Sequence, residues 1–329
     1  MSRPDFPQAW DSTMLKSFRS CPQLMFKQYM HHWKPRSESI HLIAGKAFAS
    51  GLEVMRRAYF ERDATPEEAL GLGLQALIDE YGPTDAGRFV KEAKSLERMA
   101  GALEYYAHVA FPLETDDATP VALAHGRRAI EFSFALELDP NLRHPVTGEP
   151  LLYCGRADQV VDYAGGVYVE DDKTTSTIGD RWAEQWKLRS QFTGYCWAGR
   201  QLWENVQGAL VRGIAIRKTG YDHTQHPTPR PGALIDKWHA QSIRDIKRAI
   251  ECWTTGYWDY DLDEACTHYG GCIFRDVCGS ADEQPWLEAG FTRKVWNPIL
   301  RLESEPENEL AILGGGQGSE GFVVPGHRG

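Results

Sequence analysis

No run of 18 or more apolar residues occurs in this chain of 329 residues, and a helix needs about that much apolar sequence to cross a bilayer. No membrane partner is therefore expected. The opening Met-Ser-Arg-Pro-Asp-Phe lacks the apolar stretch of a secretory signal, so the expected location is the cytoplasm. Seven cysteines without such a signal do not read as a disulfide framework. No internal repeat is present. An excess of positive charge is also missing, the net charge being −10, which argues against a protein that coats nucleic acid over its whole surface.

The distribution of charge says more than the total. Residues 12–36 carry Lys16, Arg19, Lys27, Lys34 and Arg36 with no acid, and residues 173–218 are also rich in Lys and Arg. Acid is concentrated around Glu61–Glu80, Asp259–Glu264 and Glu303–Glu309. A basic groove on an acidic body suits an enzyme that must release a polyanionic substrate. Apolar content of 42% is enough for a sizeable core.

The most informative segment runs from Leu151 to Thr174. Leu151–Asp162 and Gly166–Thr174 read as an antiparallel hairpin turning at Ala164-Gly165, where glycine supplies the positive backbone angle of a tight turn. Paired positions then sum to 329, so Asp158 faces Asp171. Cross-strand neighbours bring their Cβ atoms within about 5 Å. Lys173 points to the same side as Asp171. The spacing predicts a divalent-metal site with a built-in cation. The alternative is a solvated hairpin with its charges on a wet face. Against that stand Val160, Val167 and Val169 on the same face, because paired carboxylates beside apolar surface are unfavourable without a cation.

Helices are expected over Ser12–Met30 with a break at Cys21-Pro22, and over Ile43–Tyr59, Thr65–Tyr81 and Lys91–His108. Residues 110–123 read as a loop and Ala129–Leu138 as a strand. One long helix is expected over Trp182–Trp203, a buried strand over Ala209–Ile216, a Pro/His-rich loop over 221–232 and a helix over Ile235–Gly256. Lys187, Gln191 and Tyr195 would share a face of the long helix. The fold class that follows is α/β (α+β), a small central mixed sheet flanked by helices. Residues 1–302 form one domain in this reading, with an N-terminal helical part (12–110), a catalytic core (125–220) and a C-terminal part (235–300). Residues 303–329 form an acidic, then Gly-rich tail, too poor in apolar residues to pack. Trp182, Trp186 and Trp197 flank the motif helix and could stack bases, although packing is the expectation for each.

Cys266, Cys272 and Cys278 lie within thirteen residues, with glycines between them. Iron–sulfur clusters and structural zinc both take four thiolates, so a fourth must come from afar, and Cys21 is the candidate. His268 could replace a cysteine in a zinc site. Cys154, Cys196 and Cys252 lie in strand or helix patterns and read as core residues.

Gly155-Arg-Ala-Asp158, then Asp171-Asp-Lys173-Thr174, then Gln191-Phe-Thr-Gly-Tyr195, in this order, resemble the PD-(D/E)xK nuclease superfamily. The likeness is strongest to its RecB-like branch, which includes the CRISPR-associated adaptation nuclease, the AddB subunit and phage exonucleases. The resemblance implies a restriction-endonuclease-like core and metal-dependent cleavage of DNA, exonucleolytic on single strands or DNA ends. It makes Asp158, Asp171 and the backbone carbonyl of Asp172 ligands of Mg²⁺ or Mn²⁺. Lys173 would orient the attacking water, and Gln191 and Tyr195 would approach the active site. Lys16, Arg19, Lys187 and Arg189 would follow the nucleic-acid backbone, and recombination or CRISPR-type proteins would be partners. Glu131 sits where relatives carry an upstream acid, the alternative being an exposed strand edge.

Ser17-Phe-Arg-Ser-Cys21 followed by a C-terminal cysteine triplet resembles the iron–sulfur version of the branch, in which Cys21, Cys266, Cys272 and Cys278 would hold a [4Fe–4S] cluster. Zinc is the second candidate. The five-residue gaps between the last three cysteines are wider than the C-x2-C of many relatives. A larger departure lies in the first helix. The branch's G-x-x-x-H pattern aligns with Gly45-Lys-Ala-Phe-Ala49, so alanine stands at the histidine position. Glu53, one turn later, is the candidate replacement ligand, and His41 is a poorer one. This departure keeps a second reading open, a DNA-binding or assembly subunit without catalysis. A metal-dependent RNase is a third.

Overall fold

The computed structural model describes residues 4–267, 271–298 and 311–313. After β1 (Ala9–Trp10), the Asp11 carboxylate accepts from the backbone N–H groups of Thr13 and Met14 and starts α1 (Ser12–Ser20). Cys21 is extended, Pro22 opens α2 (Pro22–Met25), and a π-helical turn runs to Met30 before β2 (Trp33–Pro35). Ser39 caps α3 (Ile40–Arg62), and Thr65 with Glu68 forms a capping box on α4 (Pro66–Tyr81). Next come α5 (Pro83–Arg88), α6 (Leu96–Tyr105), α7 (Phe111–Asp117) and β3 (Ala118–Pro120). The loop expected over 110–123 is thus mostly regular structure. A π-helical turn over Tyr106–Ala110 joins α6 to α7 without a break, so Pro112 lies inside a continuous helical run, and buried Phe111 anchors α7 among the α3 and α6 side chains.

The central strands are β4 (Ile130–Glu137), β5 (Leu152–Tyr163) and β6 (Gly166–Thr175). Two short helices, α8 (Asp180–Glu184) and α9 (Ser190–Leu202), lead to β7 (Val206–Arg217) and β8 (Gly220–Pro229). The chain continues through α10 (Gly232–Thr255), α11 (Glu264–Thr267), α12 (Arg275–Cys278), α13 (Gln284–Gly290), β9 (Phe291–Arg293) and β10 (Ala311–Leu313). Eight of the strands form one mixed sheet in the order β10-β4-β5-β6-β7-β8, with β1 and β3 both joined to β5. The fold is mixed α/β, as the sequence predicts. The hairpin register also follows the expectation: Gln159 pairs with Glu170 and Val160 with Val169, and Ala164 and Gly165 turn the chain at φ of 48° and 79°.

Two further expectations need correction. The helix expected over Trp182–Trp203 is broken between α8 and α9. The Trp186 carbonyl there accepts a 2.6 Å bond from buried Arg230, and Arg189 is extended, so a tertiary contact holds the turn. The loop expected over 221–232 is mostly β8, antiparallel to β7. Pro227 and Pro229 fit because β8 ends the sheet, where a missing N–H breaks no ladder.

The fold divides into two compact units. One takes its described residues from Met1–Ser37, Ser133–Gly155 and Asp236–Gly321, the other from Glu38–Phe132 and Arg156–Ile235. In the first, β2 pairs antiparallel with β9, and Trp33, Phe274, Val277, Leu287 and Phe291 pack into a small core beside Cys272 and Cys278. Of the segment expected to be a tail, only residues 311–313 are described, as a strand parallel to β4. In the second, α3, α4 and α6 pack with Ile214 and Ile216 of β7. Gly51 and Gly73 let α3 and α4 touch, since a Cβ on Gly73 would stand 2.7 Å from the Gly51 carbonyl oxygen.

Candidate functional site

Strands β5 and β6 bring the predicted acids together. Asp158 and Asp171 stand one position beyond the Gln159–Glu170 pair, and the Asp158 Oδ2 accepts a 2.7 Å bond from the backbone N–H of Asp172. Lys173 forms an ion pair with Asp171 Oδ1. Gln191, in the first turn of α9, donates from Nε2 to Asp171 Oδ2 and to the Tyr195 hydroxyl, both at 3.3 Å. Asp171 is buried, and the valines at 160 and 169 beneath the site are buried too.

Burial and the neighbouring Asp171 push Asp158 up to about 7. Burial also raises Asp171, although Lys173 pulls it down. Asp172 behaves oppositely: burial works against its charge, but Arg56 more than offsets this and its pKa is lowered. Lys173 is raised, because the attraction of Asp171 and Asp158 outweighs its burial. The site face thus holds two carboxylates and one ammonium. The raised proton affinity of Asp158 comes first from burial and then from the neighbouring acids, both of which disfavour its charged form. A hard divalent ion suits those oxygen donors, with Asp158 and Asp171 as the residues able to hold it.

Several residues essential to this arrangement are not evident in the motif. Glu170 and Asp172 alternate onto the opposite face of β6. There Glu170 accepts from Arg212 at 2.7 Å and from Gln159 at 2.6 Å, while Arg56 of α3 grips Asp172 at 2.5 and 3.2 Å. The available signal was an arginine inside the apolar run 209–216 and the Arg56-Arg57 pair within α3, each needing an acid if buried.

Other predicted site residues lie elsewhere. Glu53 pairs with Arg57 at 3.0 Å, one turn along α3. Among the described residues no group of three His, Cys, Asp or Glu side chains is arranged to hold one ion, so Glu53 is not assembled with Asp158 and Asp171. Arg189, just before α9, lies close enough for its charge to stabilise the Asp171 carboxylate. Lys187 sits in the turn between α8 and α9, paired with Glu184 at 2.5 Å, not on the helix face of Gln191. Glu131 is buried and paired with Arg156 at 2.8 Å, so it is not an exposed edge. Trp182, Trp186 and Trp197 are buried.

In the other unit, Lys16 is exposed on α1, and Arg19 is bonded to Asp245 at 2.5 Å and to Ser242 at 3.0 Å. Lys27 is buried against Glu283, so it does not belong to a free basic face. Cys21, Cys266, Cys272 and Cys278 line one recess, with Leu24, Tyr260 and Phe274 among its walls. The Asp261 N–H donates to the Cys21 sulfur at 3.4 Å, and the Cys272 N–H to the Cys266 carbonyl at 3.0 Å. Burial raises Cys272 and pushes Cys278 up to about 11. The four thiols share this recess, although among the described residues no group of three or more His, Cys, Asp or Glu side chains is arranged to hold one ion. His268 lies outside the described residues. Cys154, Cys196 and Cys252 are buried core residues, and burial raises the pKa of each thiol.

The sequence pattern of the PD-(D/E)XK nuclease superfamily matches residues 12–279. The chain belongs to this superfamily. Membership implies a nucleic-acid substrate, and among the described residues no helix is long and apolar enough to cross a membrane. No curated protein matches the chain. A candidate exonuclease from Eubacterium rectale is similar in structure, at 13% identity over 79% of this chain and 86% of that one, with a TM-score of 0.48. The protein SSO0001 is similar at 14% identity over 64% of this chain and 84% of that one, with a TM-score of 0.26. The residues expected from the sequence to form the motif, Asp158, Asp171 and Lys173, lie near one another where β5 and β6 meet.

Proposed function

We propose that this chain is a metal-dependent DNA nuclease of the RecB-like branch, an exonuclease acting on single strands or DNA ends, with a structural [4Fe–4S] cluster. One observation carries the nuclease reading: the Asp158 and Asp171 carboxylates share a buried face with Lys173, and Asp158 has its pKa raised to about 7. Asp158, Asp171 and the backbone carbonyl of Asp172 would hold Mg²⁺ or Mn²⁺. When bound, such an ion polarises a phosphate and lowers the pKa of its water. Lys173 then donates toward the oxygens on which negative charge develops. Gln191 keeps the second oxygen of Asp171 oriented, and Tyr195 holds the Gln191 amide. Arg189 supplies a cation for a phosphate of the strand.

The four thiols that line one recess support the cluster proposal, and zinc, which also takes four thiolates, is the alternative.

Ala49 favours the second reading, a DNA-binding or assembly subunit, because the helix then supplies no histidine ligand. Digestion of end-labelled single- and double-stranded DNA with Mg²⁺, Mn²⁺ or EDTA separates the two. Metal-dependent, EDTA-sensitive shortening from the ends is expected, with Mn²⁺ preferred, and Asp171→Ala and Lys173→Ala should each lose at least about 100-fold in rate. Binding without cleavage under every metal would establish the subunit reading.

A further inference from the structure

Strand β6 carries charge on both faces, and the two faces differ in balance. On the site side Asp158 and Asp171 meet one ammonium, Lys173. On the other side Glu170 and Asp172 meet two guanidinium groups, Arg212 and Arg56. Both arginines are buried, at 2% exposure each. Arg56 holds Asp172 through both terminal nitrogens, donates to the Tyr106 hydroxyl at 2.8 Å and lies 3.5 Å from Glu170. A guanidinium gripping a carboxylate with two nitrogens fixes its orientation as well as its charge. The backbone of that same residue, Asp172, donates its N–H to Asp158 Oδ2.

We propose that Arg56 of α3 is a positioning residue for the metal site, acting through the Asp172 side chain to fix the peptide that orients Asp158. The inference rests on Asp158 and Asp171 being the metal ligands. Helix α3 therefore contributes to the site from behind the strand, although it presents Ala49 where the family resemblance places a histidine.

Variants that keep the net charge separate positioning from electrostatics: charge alone then predicts unchanged cation affinity, whereas loss of positioning weakens it. The experiment measures the Mn²⁺ dissociation constant of DNA-free protein by the electron paramagnetic resonance of free Mn²⁺. Arg56→Met combined with Asp172→Asn removes one charge of each sign and avoids a stranded buried acid. At least a tenfold weaker Mn²⁺ affinity is expected for this double variant, and several-fold weakening for Arg56→Lys, which keeps the charge but loses the two-nitrogen grip. Leu77→Ala, in the α4 core, controls for lost stability and should lower the unfolding temperature while leaving Mn²⁺ affinity within twofold. Wild-type affinity in both Arg56 variants, or tighter binding, would overturn the positioning role. If wild-type protein itself binds no Mn²⁺, the metal reading fails instead.

Discussion

Asp158 holds its proton up to about 7 in the folded, metal-free protein, against a usual value of 3.8. Burial is the main cause, with the charges of Asp171 and Asp172 adding to it. Between about pH 4 and 7 the folded state therefore binds more protons than the unfolded chain, so this group's contribution to stability is full at low pH and is lost as pH rises through that window. A divalent ion needs the carboxylate, so metal uptake displaces the proton. Mn²⁺ affinity is expected to climb as pH rises from 5.5 to 7 and to level off above, with about one proton released per ion at the lower end. Calorimetric titration in two buffers of different ionisation enthalpy measures that release. An affinity that stays flat across the range would show that Asp158 does not bind the ion.

Among the elements, β6 and α3 carry most of the design. Alternation along β6 sends Asp171 and Lys173 to one face and Glu170 and Asp172 to the other, so one strand carries two residues of the site and the two acids that Arg212 and Arg56 hold. Helix α3 can reach β6 with Arg56 only if it is itself well seated, and the Gly51–Gly73 contact seats it against α4. A side chain at position 73 would strike the Gly51 carbonyl. Gly73→Val is expected to destabilise the protein by about 1–3 kcal/mol, the usual range for overpacking, with a fall in unfolding temperature measurable by calorimetry. The short helices around Gln191 behave differently. Their break at residues 185–189 depends on Arg230, which reaches the Trp186 carbonyl and the Thr193 hydroxyl.

For the whole molecule, the cysteines of interest come from distant parts of the chain. Cys21 precedes α2, whereas Cys266, Cys272 and Cys278 follow α10, and all four line one recess. If that recess holds a cluster, anaerobically purified protein will be brown and contain about four irons per chain. Cys21→Ala should then lose most of its iron and unfold at a lower temperature, because ligand binding to the folded state adds to stability. A stable Cys21→Ala protein with full iron would remove Cys21 from the ligand set, and zinc without iron in the wild type would remove the cluster.

The hairpin was legible because its information is local. A glycine turn sets the register, the register pairs Asp158 with Asp171, and the strand period places Lys173 beside them. The bounds of α4 were legible for the same reason, whereas α3 starts at Ile40, three residues before the expected Ile43, where Ser39 caps it. The break between α8 and α9 was not, because a buried arginine some forty residues away holds it. Strand β8 was hidden by its prolines, which only a position at the end of the sheet accommodates. Arg56 and Arg212 were the least visible: nothing in their local sequence says which acid each will meet. Sequence alone determined the chemistry that converges on the hairpin, since neighbours along a strand pair obey short-range rules. Tertiary structure decided how the buried charges are balanced, because burial and the partner of each charge depend on residues distant in the chain.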